Sequence, residues 1–163
     1  MIATGGLVAR WAHLYSDRKA VSEAVTFVHL AGVLLAGGLA VAADRATLRL
    51  ARHTPPGVAG DSPALADIAG VHRVVLWGLL LIVASGVLQT LADLDTFLPS
   101  PVFWTKMALV VVLLGNGWIR LRAERRVRSG AAAAWPAFRR TSIASLALWF
   151  TLVLAGTILT GNG

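Results

Sequence analysis

The sequence predicts an all-α fold: an integral membrane four-helix bundle preceded by a short interfacial helix at the N-terminal side. Three observations carry this. The chain holds four apolar blocks of near-membrane length; 56% of its 163 residues are hydrophobic; and its arginines crowd into alternate connections. The mean hydropathy of +0.71 exceeds what a water-soluble domain of this size needs to fill a core. A helix of roughly 20 apolar residues crosses about 30 Å of hydrocarbon, and each block approaches that length.

Residues 1–19 form an amphipathic lead. Leu7, Val8, Trp11, Leu14 and Tyr15 recur at helical spacing opposite Arg10, Asp17 and Arg18, which suits a helix lying in the interface. The first span covers about 21–43, where Ala24 to Ala43 has only Thr26 and His29 as polar side chains. Pro55, Pro56, Gly57, Gly60 and Pro63 make the centre of the next connection, Arg45 to Asp67, irregular. The second span, 68–92, carries Ser85 alone between Val74 and Leu88. "DLDTFLPSP" then turns tightly, with Pro99 and Pro101 close to the start of the third span, 102–122. That span contains Thr105, Lys106 and Asn116. An Ala- and Arg-rich linker leads to the fourth span, 141–161, whose apolar block, Ile143 to Leu159, carries Ser145, Thr151 and Thr157. Residues 1–163 read as a single transmembrane domain.

The net charge of +7 is unevenly placed. Arg45, Arg49 and Arg52 follow the first span; Arg120, Arg122, Arg125, Arg126, Arg128, Arg139 and Arg140 lie around the linker between the third and fourth. The opposite side has Arg10, Arg18 and Lys19, and its short loop has Asp93 and Asp95 without a base. This is the positive-inside pattern. It predicts both termini outside and the Arg-rich loops in the cytoplasm of a bacterial-type inner (plasma) membrane. Membrane lipid is the expected partner and nucleic acid is not. Polar Ser16 to Lys19 before the first block argues against a cleavable signal peptide. With no cysteine, disulfides, thiolate metal sites and lipoprotein anchoring are excluded.

Chemistry is expected where polar groups interrupt the apolar blocks. A charged amine below the headgroups usually faces a protein interior, where it needs a partner. Lys106 is such a group, and His29 is its candidate partner. At about 1.5 Å of rise per residue, His29, Lys106 and Gly86 fall at similar heights in the outer half, with Trp104 just above. Helical phase puts Ser22, Thr26, His29, Gly32 and Ala36 on one stripe, and Lys106, Leu113, Asn116 and Arg120 on another. On the second span His72, Leu76, Leu79, Val83, Gly86 and Thr90 align; on the fourth, Ser145, Leu152, Gly156 and Thr160. His72 lies toward the cytoplasmic side, too far from His29 to share one metal ion, and is a candidate for a second site. Each residue also has an ordinary reading: Lys106 and His72 as snorkelling groups, Asn116 as an interhelical hydrogen bond, and the small residues as close helix packing.

For a ligand, copper prefers soft donors, and the chain offers only Met107 besides the initiator. A b-type haem or related tetrapyrrole matches better. His29 would be the axial ligand, Gly32 and Gly86 would clear the ring, Trp104 would pack on it, and Lys106 would pair with propionates. Copper handling is the alternative, and an accessory subunit of a larger membrane complex is a third reading. A redox partner or other membrane subunits are the expected protein partners. No signature of nucleotide binding, nucleophilic catalysis or zinc hydrolysis appears, so whether the chain is an enzyme stays open.

"FVHLAGVLLAGGLA" resembles the first-helix pattern of bacterial copper-resistance D (CopD) membrane domains and HemJ-type protoporphyrinogen oxidases. "HRVVLWGLLLIVASGVLQTLADL" followed by "SPVFWTKMALVVVLLGNGWIRLR" is similar to the CopD-domain run, and "FRRTSIASLALWFTLVLAGTIL" to its closing helix. The likeness covers about residues 25–160. It implies a four-helix inner-membrane module linked to copper handling in one branch and to b-haem and tetrapyrrole oxidation in the other. His29 would be the family histidine and Lys106 the family lysine. The fourth helix departs from the pattern at Ala144 and Ser145, where an acidic residue often stands.

Overall fold

The computed structural model describes residues 2–53 and 63–161. Seven α-helices make up most of it: α1 (Ile2–Asp17), α2 (Lys19–Gly32), α3 (Gly38–His53), α4 (Pro63–Ala92), α5 (Leu94–Phe97), α6 (Pro101–Arg128) and α7 (Trp135–Gly161). A π-type turn, Val33–Gly37, joins α2 to α3 into one rod, Lys19–His53. With α4, α6 and α7, that rod gives four helices long and apolar enough to cross a membrane, with mean hydropathies between 1.6 and 2.2. The chain is an all-α four-helix bundle.

The helices start and stop where local chemistry directs. Asp93 accepts a hydrogen bond from the Thr96 amide at 3.2 Å and opens α5. Ser100 accepts from the Phe103 amide at 3.3 Å, and Pro101 takes the first turn of α6, where no amide hydrogen is needed. Gly130, at φ 84°, lets the chain reverse after α6. The helices outrun the apolar blocks at the arginine-rich end. The first rod reaches His53 and α6 reaches Arg128, because tertiary partners, not lipid, hold their last turns.

The bundle is apolar outside and partly polar within. Leu34, Phe27, Trp77, Val111 and Phe150 are at least 63% exposed. Asp44, Thr47, Ser85, Arg120, Glu124, Ser142 and Ser145 are buried. Water would penalise that outer surface, whereas hydrocarbon solvates it. Without a hydrophobic force between helices in lipid, close backbone approach does the packing. A Cβ on Gly78 would stand 2.7 Å from the Ala36 Cβ, and one on Gly32 2.9 Å from Ile82. The small residues thus bring the first rod directly against α4, and Gly37 receives the face of Trp149 from α7.

Around the bundle, α4 packs on the first rod, the rod on α7, and α7 on α6, while α4 and α6 scarcely touch. The α4–α6 gap opens into a cavity of about 230 Å³. At the far end α1 folds back onto α4, where the Trp11 indole donates to the Leu88 carbonyl at 2.8 Å.

Candidate functional site

Two polar centres stand at different heights in the bundle. The first is nearer the α5 end. His29, half-buried on α2, places Nδ1 3.1 Å from the Ile82 carbonyl and 3.0 Å from the Ser85 hydroxyl. Ser85 gives its own proton to the Leu81 or Ile82 carbonyl, so its oxygen accepts from the ring. Both partners of Nδ1 are therefore acceptors, and Nδ1 carries the hydrogen. Nε2 is left with a lone pair and no hydrogen-bond partner among the described residues. This is the arrangement that fixes a histidine for metal ligation through Nε2.

Lys106 reaches the same region from α6. Its charge acts on the His29 ring, and a Cβ on Gly156 of α7 would lie 3.8 Å from its Nζ. Gly86 of α4 lies under the imidazole, where a Cβ would meet Cε1 at 3.4 Å. The structure thus brings His29, Lys106 and Gly86 together, and Ser85 with them. Ser85 was visible in the sequence as the lone polar residue of its block, without a role. Gly32 faces Ile82 and the Gly78 carbonyl instead, in helix packing. Trp104 is 56% exposed, its indole donating to the Leu98 carbonyl at 2.9 Å, outside this group.

The second centre occupies the arginine-rich end, and the sequence pattern pointed to little of it. Arg120 is 5% exposed and connects every span. Its Nε donates to Asp44 at 2.9 Å and Ser142 at 3.4 Å; its Nη2 donates to Thr47 at 3.2 Å. Nη1 faces His72 Nε2 at 3.0 Å and Glu124 at 3.5 Å, and the guanidinium lies 5.2 Å from the Phe138 ring centroid. Ser142 and Ser145 stand beside the Asp44 carboxyl. Among the described residues, no buried side-chain nitrogen or oxygen lacks a partner.

His72 belongs to this network. Ile82 lies ten residues beyond it on α4, roughly 15 Å of rise, so His72 and His29 occupy separate centres. With Nε2 3.0 Å from Arg120 Nη1 and Nδ1 3.6 Å from the Glu124 carboxyl, both His72 nitrogens are engaged. One signal for this centre was present in the sequence: Glu124 is the lone acid in the run Arg120 to Arg128, and Asp44 directly follows the first apolar block. Asp44, His72, Arg120 and Ser145 form the polar end of the cavity, whose walls include Val75, Leu79, Leu113 and Trp149.

Among the described residues no three of His, Cys, Asp and Glu are grouped to hold a metal ion. The chain matches no known family model, no curated protein and no solved structure.

Proposed function

We propose that the protein binds a b-type haem or related tetrapyrrole through His29, in a bacterial-type inner membrane with its arginine-rich loops in the cytoplasm, and serves electron transfer or tetrapyrrole redox chemistry. The observation that supports this most is the His29 ring, held at Nδ1 by Ile82 and Ser85, with Nε2 unpartnered among the described residues. The CopD and HemJ likeness around His29 and Lys106 supports it as well. The donor set fits one axial position of such a group. A bound haem supplies a one-electron couple. His29 would ligate it, Ser85 would hold the ring's orientation, and Lys106 would neutralise a carboxylate substituent.

His72 is engaged elsewhere, so it does not supply a second axial ligand. The glycine faces are already filled, Gly86 by the His29 ring and Gly156 by the Lys106 amine. A macrocycle is therefore not seated between α4 and α7. Access for one would come from the half-exposed side of His29.

The test is the visible spectrum of detergent-purified protein from a haem-replete host, oxidised and after dithionite. The expected result is a haem spectrum that is lost in His29→Ala and kept in His72→Ala. Protein that purifies colourless and free of tetrapyrrole, or a spectrum indifferent to His29→Ala, overturns the reading.

A further inference from the structure

The cavity between α4 and α6 has no part in the His29 centre. It measures about 230 Å³, with apolar walls and one polar end. A dry cavity of about 150 Å³ takes up benzene, so this one has room for a single substituted ring and not for a macrocycle. It opens sideways: Leu76, Leu114 and Trp118 line it and are also 54%, 45% and 55% exposed, while α4 and α6 scarcely touch. In a membrane that side faces hydrocarbon, and what enters there must dissolve in lipid.

The wall formed by α7 asks for an oxygen. Trp149 is 7% exposed, Gly37 backs its six-membered ring, and the indole lines the cavity. Its N–H has no hydrogen-bond partner among the described residues. Side-chain nitrogens and oxygens sealed inside the described structure all have one, so this nitrogen is left open. A donor withdrawn from water without an acceptor is costly. An acyl chain in the cavity would leave it in that state; a carbonyl oxygen would satisfy it. Ser145 lines the cavity one turn earlier on the same face of α7, about 6 Å of rise away, and its hydroxyl can give or accept a hydrogen bond. A flat ring with oxygens on opposite edges reaches both. Gly117 of α6 also lines the space, and a Cβ there would meet nothing within 4 Å.

The polar end disfavours an ionic head. Asp44 and Arg120 are paired at 2.9 Å, both almost fully buried. The Asp44 carboxylate would repel a fatty-acid or phosphate head, and the Arg120 guanidinium a cationic one. An uncharged ring avoids both penalties.

We propose that this cavity binds the head ring of a lipid-soluble quinone, with one carbonyl oxygen on the Trp149 N–H, the other at Ser145, and the tail leaving between α4 and α6. The site stands apart from His29 and does not depend on any ligand there.

The experiment is direct binding of a radiolabelled, oxidised benzoquinone with a decyl tail to the full-length protein in lipid nanodiscs, with protein-free nanodiscs as the reference for partition into lipid. Saturable binding of about one quinone per chain is expected. Trp149→Phe keeps the flat wall and loses the donor, so it should weaken binding about tenfold. Gly117→Leu fills the cavity and should abolish binding, whereas His29→Ala should leave it unchanged. Melting temperatures report whether each variant is folded, and competition with excess palmitate, which should not displace the ring, needs no variant. Uptake no greater than in protein-free nanodiscs overturns the proposal. So does binding that folded Gly117→Leu or Trp149→Phe retains at wild-type affinity, or that palmitate displaces as well as unlabelled quinone does.

Discussion

Arg120 reaches groups on three other helices through one guanidinium: Asp44 and Thr47 on α3, His72 on α4 and Ser142 on α7. Removing it strands the Asp44 carboxylate in a buried setting, and breaking a buried pair this way costs about 3–5 kcal/mol. Arg120→Met is therefore expected to lower thermal stability in detergent by that amount. Asp44→Asn should be milder, because Arg120 keeps Glu124 as a carboxyl neighbour at 3.5 Å; equal losses in the two variants would contradict this. At His29 the decisive neighbour is Ser85. If His29 ligates a tetrapyrrole, Ser85→Ala should weaken its binding by about tenfold, the lower end for an outer-sphere partner, measured by spectral titration. The two histidines look alike in the sequence, each a polar interruption near an apolar block. What separates them is the partner: carbonyl and hydroxyl for one, guanidinium for the other.

Helix contacts depend on glycines that differ in role. Gly78 touches Ala36 across the α4 interface, and a methyl there has nowhere to go, since the atoms it would meet are backbone or Cβ. Gly78→Ala should cost about 1–3 kcal/mol through overpacking. A Cβ added to Gly115, on α6, would meet nothing within 4 Å. Gly115→Ala should be neutral or stabilising by up to about 1 kcal/mol, from helix propensity alone. Thermal melts of the two variants side by side check both. Asn116 fits its ordinary reading, donating to the Thr141 carbonyl of α7 at 2.9 Å. On α4 the inward stripe differs from the expected one: Leu76 and Val83 are 54% and 44% exposed, while Ser85 is 3% exposed. Hydropathy could not set that phase, because nearly every residue of the block is apolar and the choice falls to neighbouring helices.

For the whole molecule, charge placement makes a prediction that geometry does not. If the positive-inside pattern governs insertion, a single cysteine replacing Ser129 should resist a membrane-impermeant maleimide in intact cells, and one replacing Asp95 should react. The chain has no cysteine of its own, so each label reports one position. The reverse labelling pattern would invert the orientation.

Fold class was legible because span length and apolar composition are one-dimensional properties, fixed by the thickness of the medium a helix must cross. Four spanning helices followed from the sequence, as did an inward stripe of Leu113, Asn116 and Arg120 on α6. The grouping of charges was not legible. Asp44, His72, Arg120 and Glu124 come from three helices, and whether an arginine near a span's end meets water or a buried carboxylate depends on which helix stands beside it. Pairwise encounters of that kind are set by helix rotation and crossing, which tertiary packing alone decides.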